Sequence, residues 1–257
     1  MNSETCFACG AAFECGATEP DGKCWCTELP HVSANPTNPT CLCPACLKAR
    51  IEAVEAYNAV SKMYADKYSD EILLKPKVQE FLAEFVQLVP VDGLICDMGC
   101  GPGQVARYLK NNLHRNVTGV DLSSKMVEIA NEINPGIEFK CADILQMEEA
   151  GVYEGIVGLY FIVNFAPATL PNVFDKLYQL LKPNGKLLLS FHIGEDKLNR
   201  IDSFWDSGKA LDFYFFNPET VSKTLVNSGF RIADIKYREP YPEIEYPSKR
   251  AYVFAEK

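Results

Sequence analysis

The run LICDMGCGPG at residues 94–103 constrains the fold of this chain more than any other segment. An apolar stretch leads into Asp97, and glycines follow at alternate positions: Gly99, Gly101 and Gly103. A strand that stops at an acidic residue and turns through glycines leaves bare main chain facing a ligand, next to the N–H groups that open a helix. The dinucleotide fingerprint requires a small residue three places after the second glycine, where this chain has Gln104. The segment therefore predicts a cofactor loop of another type.

The spacing D-x-G-x-G-x-G resembles the signature of class I S-adenosylmethionine (SAM)-dependent methyltransferases, and the resemblance extends from about Ala56 to Lys257. It implies an α/β fold with a Rossmann-like seven-stranded sheet, its last strand antiparallel, flanked by helices. It also implies SAM as the cofactor and transfer of a methyl group to an O, N or S nucleophile by in-line displacement. Alignment of the two reactants then supplies most of the rate. A glycine-rich turn without a ligand is the alternative.

Hydrophobic periodicity and turn residues around the loop predict alternating strands and helices. The predicted strands are 94–98, 117–120, 137–141, 155–160, 186–191, 230–238 and 250–255, and the predicted helices include 104–112, 125–133 and 170–181. The triplet Pro183-Asn184-Gly185 predicts a turn before the fifth of these strands. Residues 194–216 read as an insertion rich in aromatic residues, which we expect either to cover a substrate pocket or to join the core.

Residues at the ends of the second and third strands match the family's nucleoside-binding positions. Asp121 follows the glycine turn by about twenty residues and is placed to accept hydrogen bonds from ribose hydroxyls, a simple turn aspartate being the alternative. The resemblance implies that Leu122 and Met126 belong to the cofactor site, Met126 at the adenine face unless it is only a core residue. It also implies that Asp143 meets the adenine amino group and that Ile144 supplies apolar contact.

The remaining candidate residues lie before the loop and after the fourth and fifth strands. In similar enzymes the segment before the first strand folds over the cofactor, so Tyr64 and Lys75 are candidates to meet the methionine carboxylate, although a helix-face tyrosine often only packs. Tyr160 ends the fourth strand and Asn164 follows it, and we assign Tyr160 to the catalytic face and Asn164 to the cofactor. His192 ends the fifth strand and is a candidate proton acceptor, with a purely structural role as the equal alternative.

Eight of the eleven cysteines lie between Cys6 and Cys46, in a spacing that includes two C-x2-C pairs. Such pairs hold a metal from a tight turn, and eight thiolates suit two tetrahedral zinc ions. We assign one site to Cys6, Cys9, Cys43 and Cys46, and the other to Cys15, Cys24, Cys26 and Cys41. Ligation by His31, or free or disulfide-bonded cysteines, are the alternatives. The segment, with its Cys-Trp-Cys signature, resembles the cysteine-rich CWC family.

Two domains follow from these motifs: a CWC-type zinc module at residues 1–48 and a methyltransferase domain at residues 49–257. Apolar residues recur at helical steps between Ala45 and Lys75, and no proline or glycine lies between them. This pattern predicts a helix that follows the cysteines directly. We expect it to brace the module against the larger domain.

The composition limits the partners. The net charge is −9 and no basic stripe is visible, which argues against a nucleic-acid partner. No apolar run reaches membrane-spanning length and no signal segment is visible, so we expect a cytoplasmic protein with reduced cysteines and no membrane partner. The acidic surface and the aromatic insertion favour a small-molecule acceptor. The alternatives are a tRNA or protein acceptor presented by the zinc module, a metal- or redox-sensing ligand-binding protein, and methylation of thiol-bound arsenite. The acceptor molecule and the oligomeric state have no signal in the sequence.

Overall fold

The computed structural model describes residues 2–15, 26, 29 and 41–257. Its strands are β1 (Asn2–Thr5), β2 (Ala12–Cys15), β3 (Leu94–Met98), β4 (Asn116–Asp121), β5 (Glu138–Cys141), β6 (Tyr153–Leu159), β7 (Leu181–His192), β8 (Lys197–Ile201), β9 (Leu211–Phe215), β10 (Arg231–Arg238) and β11 (Arg250–Glu256). Its α-helices are α1 (Pro44–Tyr68), α2 (Pro76–Leu88), α3 (Gln104–Asn111), α4 (Ser124–Ile133), α5 (Leu170–Leu180) and α6 (Pro218–Asn227).

One mixed sheet of seven strands organises the larger part of the chain, in the order β10-β11-β7-β6-β3-β4-β5. The strands from β7 to β5 in that order run parallel, and β11 is antiparallel to both of its neighbours. The predicted α/β architecture, including the antiparallel last strand, is therefore confirmed.

The sheet buries apolar side chains on both of its faces. Leu187 and Leu189 of β7 belong to the same buried cluster as Phe174 of α5. Leu188, which lies between them, belongs to the cluster on the opposite face with Phe85 of α2. Successive side chains of a strand point to opposite faces, so a continuous apolar run is required where helices cover both.

The strand β7 departs from the sequence-based expectation at its start. It begins at Leu181 instead of residue 186, because the register against β6 shifts between the pairs Tyr153–Leu181 and Gly155–Lys186. The predicted turn lies inside this irregularity, where Asn184 has a φ of +62°. The turn residues thus form a bulge within the strand and do not precede it.

The N-terminal segment packs against the larger domain. Strands β1 and β2 pair as a hairpin, and Asn172 of α5 donates hydrogen bonds to the carbonyls of Phe7 at 2.7 Å and Ala8 at 3.0 Å. Helix α1 runs without interruption for 25 residues, as expected, and crosses the predicted domain boundary after residue 48, which stays a prediction. Among the helices in the described residues, none is long and apolar enough to cross a membrane.

The aromatic insertion forms the antiparallel hairpin β8–β9. Phe204, from its tip, and Leu211, at the start of β9, pack with Ala56 and Val60 of α1 in a separate buried cluster. The insertion therefore joins a small core of its own while it extends along α1 over the strand ends.

Candidate functional site

The carboxyl ends of the parallel strands open into a cavity of about 810 Å³. Its walls come from the segments after β3, β4, β6 and β7, from α1, from the β8–β9 hairpin and from the connection between β10 and β11. The predicted site residues that line it are Tyr64, Lys75, Asp97, Gly99, Gly101, Asp121, Leu122, Met126, Tyr160, Asn164 and His192. Ligands of open parallel sheets bind at this kind of edge.

The glycines of the loop after β3 serve different purposes. Gly101 has a φ of +52°, and a Cβ there would meet only Gln104 Oε1 at 3.9 Å, so this stretch of main chain is open to the cavity. Gly103 has a φ of +84°, and a Cβ there would lie 2.6 Å from the ring of Phe139. Gly101 therefore leaves space for a ligand, whereas Gly103 leaves space for the protein's own β5.

Asp97 supports the loop from behind. Its side chain is buried, and Oδ2 accepts a hydrogen bond of 2.9 Å from the main-chain N–H of Ala106 in the first turn of α3. Burial and the neighbouring Asp121 carboxylate raise the pKa of Asp97 to about 7, although the Ala106 N–H acts in the opposite direction. The acidic residue of the motif thus ties the start of α3 to β3.

Asp121 lies at the end of β4, directly beneath the glycine loop. Its Oδ2 accepts a hydrogen bond from the N–H of Gly101 and its Oδ1 accepts one from the N–H of Ser123, both at 2.8 Å. Burial raises the pKa of Asp121, and these N–H groups oppose the rise. Each carboxylate oxygen keeps capacity for a further hydrogen bond. Ser123 also caps α4, as its Oγ accepts from the N–H of Met126, which places that residue on the cavity wall.

Asp143 and Ile144 line a smaller adjoining cavity of about 40 Å³, together with Asp121 and Leu122. Arg50 of α1 reaches Asp143, with 2.8 Å between Nη2 and Oδ1, and both side chains are buried. Burial raises the pKa of Asp143, partly offset by the guanidinium of Arg50. Sequence reasoning missed Arg50; the available signal was its position one helical turn after Cys46 on the predicted helix.

An aromatic wall covers the side of the cavity formed by α1. Tyr64 stacks on Trp205 from the hairpin tip, with 5.4 Å between ring centroids and 19° between planes. Tyr57 packs edge-on against Phe204 at 5.6 Å, and its hydroxyl donates a 2.9 Å hydrogen bond to Asn164 Oδ1. Of the predicted residues, Tyr64 is thus held by the hairpin and Asn164 by Tyr57 of α1. Tyr57, an aromatic residue of the segment before the first strand, also lines the cavity.

Lys75 lies in a buried network of charges. Its ammonium contacts the carboxylate of Glu71 and, at 2.9 Å, that of Glu245. Glu245 also accepts two hydrogen bonds from Arg238, at 2.6 and 2.7 Å. Burial disfavours the charged forms of both Glu245 and Lys75. The cations Arg238 and Lys75 nevertheless lower the pKa of Glu245 to about 2. The carboxylates of Glu71 and Glu245 raise the pKa of Lys75. Lys75 reaches the cavity with its charge already paired.

His192 and Tyr160 lie together at the far end of the cavity. The His192 ring is stacked between Tyr160 and Phe215, with 5.0 Å to each centroid, and its Nδ1 is 2.6 Å from Ser248 Oγ. Burial and the nearby Arg250 guanidinium lower the pKa of His192 to about 3. The Tyr160 hydroxyl accepts from Arg250 Nε at 3.3 Å. The imidazole is therefore neutral at physiological pH.

Four of the cysteines lie close together at the start of α1: Cys6, Cys9, Cys43 and Cys46. All four Sγ atoms are within 4.8 Å of one another, and a tetrahedral zinc site with Zn–S bonds of about 2.3 Å needs sulfurs about 3.8 Å apart. The first predicted ligand set is thus brought together. Cys24 and His31 lie outside the described residues, as does the side chain of Cys15, so the second set, with Cys26 and Cys41, stays a prediction.

The mixed sheet with its antiparallel last strand, the glycine loop after β3 and the acidic residue at the end of β4 form the arrangement seen in Rossmann-like SAM-dependent methyltransferases. Residues 95–185 match the family model described as "Methyltransferase domain", and residues 6–48 match the one described as "Cysteine-rich CWC". The chain is thus similar to a methyltransferase domain over residues 95–185 and to a cysteine-rich CWC segment over residues 6–48.

Known proteins are similar over part or most of the chain. Phosphoethanolamine N-methyltransferase of Plasmodium falciparum is 27% identical, over 53% of this chain and 53% of that protein. Malonyl-[acyl-carrier protein] O-methyltransferase of Enterobacter lignolyticus is 29% identical, over 46% of this chain and 45% of that protein. The chain spans about half, or less, of the length of such curated relatives.

Solved structures share the fold at low sequence identity. Magnesium protoporphyrin IX methyltransferase from Synechocystis, solved with bound SAH, superposes with a TM-score of 0.58 at 19% identity, over 80% of this chain and 97% of that chain. A SAM-dependent methyltransferase from Methanosarcina mazei gives 0.59 at 16% identity, over 67% and 95%. These likenesses establish the fold alone.

Proposed function

We propose that this chain is a SAM-dependent methyltransferase that acts on a small-molecule acceptor. The observation that carries the proposal is the pairing of the open Gly101 main chain with the Asp121 carboxylate at the floor of a single cavity. Its volume of about 810 Å³ falls within the range of ~300–1,000 Å³ that is typical of small-molecule sites.

The residues present fit a sulfonium nucleoside. A ligand can approach Gly101 because nothing but Gln104 Oε1 lies near its missing side chain, and Asp121 retains acceptor capacity for ribose hydroxyls. Asp143 Oδ2 is buried and has no hydrogen-bond partner among the described residues, as a site for an adenine amino donor requires. SAM, when bound, supplies a methyl group on a positively charged sulfur.

A small acceptor fits the cavity better than a macromolecule does. Residues of α1, the hairpin and the β10–β11 connection line the same cavity as the strand ends, so an acceptor must enter between them. The net charge of −9 gives no electrostatic attraction for RNA. We infer that the aromatic wall and the strand ends hold the acceptor in line with the cofactor, which is the main source of rate in such transfers.

The role of His192 follows from its neutral state. With a pKa near 3 in this site, the imidazole is a weak base, and its ring is fixed by Ser248 and by the two rings that sandwich it. In our proposal it orients the nucleophile through a hydrogen bond, and the role of Tyr160 is to hold the imidazole plane. Proton acceptance by His192 stays a prediction for acceptors that lose a proton, and carboxylate binding by Lys75 and Tyr64 also stays a prediction.

We further propose that Cys6, Cys9, Cys43 and Cys46 hold one structural zinc ion. Four sulfur ligands complete the coordination shell and leave no open position for chemistry. Metal analysis of the purified chain separates one site from two, because the second predicted site would raise the zinc content from one to two ions per chain.

Calorimetric binding of S-adenosylhomocysteine (SAH) to the zinc-loaded protein tests the proposed function. Asp121→Asn preserves shape but replaces an acceptor oxygen with a donor, so we expect binding to weaken by at least about tenfold, since hydrogen bonds to charged groups contribute ~1.5–3 kcal/mol. Asp202→Asn, whose side chain is fully exposed in the hairpin, is the matched control and should bind as the wild type does. A wild-type protein that fails to bind SAH would refute the proposal.

The acceptor is found by methyl transfer from labelled SAM into metabolite extracts, followed by mass spectrometry. Phosphoethanolamine and malonyl thioesters, the acceptors named for the curated relatives, belong in the first defined panel. Transfer into tRNA or protein with none into small molecules would overturn the small-molecule assignment while leaving the methyltransferase assignment intact.

A further inference from the structure

Helix α1 carries residues of both the cysteine site and the main cavity along one stripe. Cys43 immediately precedes the helix and Cys46 lies in its first turn, and both belong to the sulfur cluster. Arg50 follows Cys46 by one turn and Tyr57 lies two turns further, which places them on the same face. Cys46, Arg50 and Tyr57 all line the cavity. The helix is thus a direct connection between the two sites.

The start of α1 lacks two features that commonly stabilise a helix N-terminus. Cys43 occupies the N-cap position without a side-chain cap, and the first turn carries no acidic residue. The N–H groups at a helix start need partners, and negative charge stabilises them. Four thiolates around one zinc ion carry a net charge of about −2, so metal binding supplies the charge that this helix start lacks.

Arg50 links this helix start to the nucleoside side of the cavity. Its guanidinium binds Asp143 Oδ1 at 2.8 Å, and the side chains are 9% and 2% exposed. Oδ1 also accepts from the N–H of Leu145 at 3.0 Å, whereas Oδ2 has no partner among the residues described. Removal of one partner from a buried ion pair leaves an uncompensated charge, which is strongly unfavourable. The pair therefore keeps Arg50 and Asp143 in contact. Arg50 thereby fixes the orientation of the carboxylate and leaves Oδ2, beside the smaller adjoining cavity, without a partner among the described residues.

Further contacts fix the rest of α1 to the same edge of the sheet. Asn58 Oδ1 accepts from Ser123 Oγ at 2.7 Å, next to the Asp121 carboxylate, and Tyr57 donates to Asn164. These bonds act two turns or more beyond Arg50. The segment from Cys43 to Arg50 therefore lies between these bonds and the sulfur cluster.

We propose that Arg50 is a cofactor-positioning residue and that metal binding by Cys6, Cys9, Cys43 and Cys46 strengthens SAM and SAH binding through it. The inference rests on the proposed methyltransferase function. Zinc fixes the first turns of α1, α1 presents Arg50, and Arg50 orients Asp143 toward the adenine amino group. Coupling of this kind is reciprocal, so SAH must strengthen zinc binding by the same factor as zinc strengthens SAH binding.

Calorimetry with SAH on the zinc-loaded chain tests the Arg50 step. We expect Arg50→Ala to weaken SAH binding by about tenfold, a typical coupling between linked sites. Arg50→Lys retains the charge but loses the planar pair of donors, and it should fall between Arg50→Ala and the wild type. Lys48→Ala is the matched control, because Lys48 lies in the same helical segment with its side chain 71% exposed. Circular dichroism checks that each variant is folded. If Arg50→Ala does not fold, the SAH affinity of Arg50→Lys decides the test.

Zinc affinity, measured by competition with a chromophoric chelator, tests the coupling itself. We expect saturating SAH to tighten zinc binding by about tenfold in the wild type and by much less in the Arg50 variant. The inference alone is overturned if the wild type binds SAH, the Arg50 variants bind SAH as tightly as Lys48→Ala does, and SAH leaves the zinc affinity unchanged. Wild-type protein that binds no SAH would overturn the proposed function as well.

Discussion

Two of the three loop glycines, Gly101 and Gly103, provide a sharp test, because the structure assigns them different tasks. Both have positive φ, so alanine at either position costs ~1–2 kcal/mol in backbone conformation. A Cβ on Gly101 meets nothing closer than 3.9 Å, whereas a Cβ on Gly103 lies 2.6 Å from Phe139. Overpacking of this kind costs a further ~1–3 kcal/mol. Gly101→Ala should therefore lower the free energy of unfolding by about 1–2 kcal/mol, and Gly103→Ala by about 2–5 kcal/mol.

Ligand binding should rank the same two variants in the opposite order. The methyl group of Gly101→Ala projects into the space where the cofactor must contact main chain, so we expect SAH affinity to fall by more than ~10-fold, or ~1.4 kcal/mol. Gly103→Ala places its methyl group against β5, behind the loop, and should bind SAH better than Gly101→Ala does. Urea unfolding and calorimetry on both variants give the four values. The reasoning fails if Gly101→Ala binds SAH normally, or if it is the less stable of the pair.

Two further predictions concern the buried titratable groups. The pKa of His192 is lowered from about 6.5 to about 3, so the folded protein is more stable at neutral pH than below pH 6.5, where the unfolded chain binds a proton at this residue. Between pH 7 and pH 5 the free energy of unfolding should fall by on the order of 2 kcal/mol for this reason. His192→Gln should lack this part of the pH dependence of urea unfolding, and an unchanged pH dependence would contradict the assignment. Glu245 pairs with Arg238 and Lys75 inside the protein, so Glu245→Gln should lower the free energy of unfolding by ~3–5 kcal/mol in thermal or urea unfolding. The control Glu243→Gln, at an exposed position, should change the free energy of unfolding by less than ~0.5 kcal/mol. Equal effects of the two substitutions would show that the buried charge network contributes nothing.

Several parts of the site could be predicted because they depend on short segments. The run from Leu94 to Gly103 contains its strand, its acidic end and its turn, and alternate glycines allow few other conformations. Ser123 caps α4 through a bond to a residue three positions later, which is a local pattern. Such features depend on dihedral preferences and hydrogen bonds within one or two turns of chain.

Other parts required the folded chain. Arg50 and Asp143 are 93 residues apart in sequence, and Tyr57 and Asn164 are 107 apart. Lys75 could be predicted to reach the site, but no sequence pattern indicates that Glu245 pairs with it. Contacts at such separations depend on how the sheet and α1 pack, for which neither periodicity nor motif spacing provides information.

The sequence by itself determined the class of fold and the glycine loop with Asp121, because spacing along the chain specifies turns and strand order. It predicted the grouping of Cys6, Cys9, Cys43 and Cys46, but the folded chain was needed to bring these four together, since interleaved pairs cannot be assigned from spacing. Only the tertiary structure decided that α1 joins the cysteine site to the cavity, that Gly103 serves packing while Gly101 faces the cavity, and that His192 is neutral. The physical reason is that these properties come from burial and from neighbours brought together by folding, and a single segment of sequence contains neither.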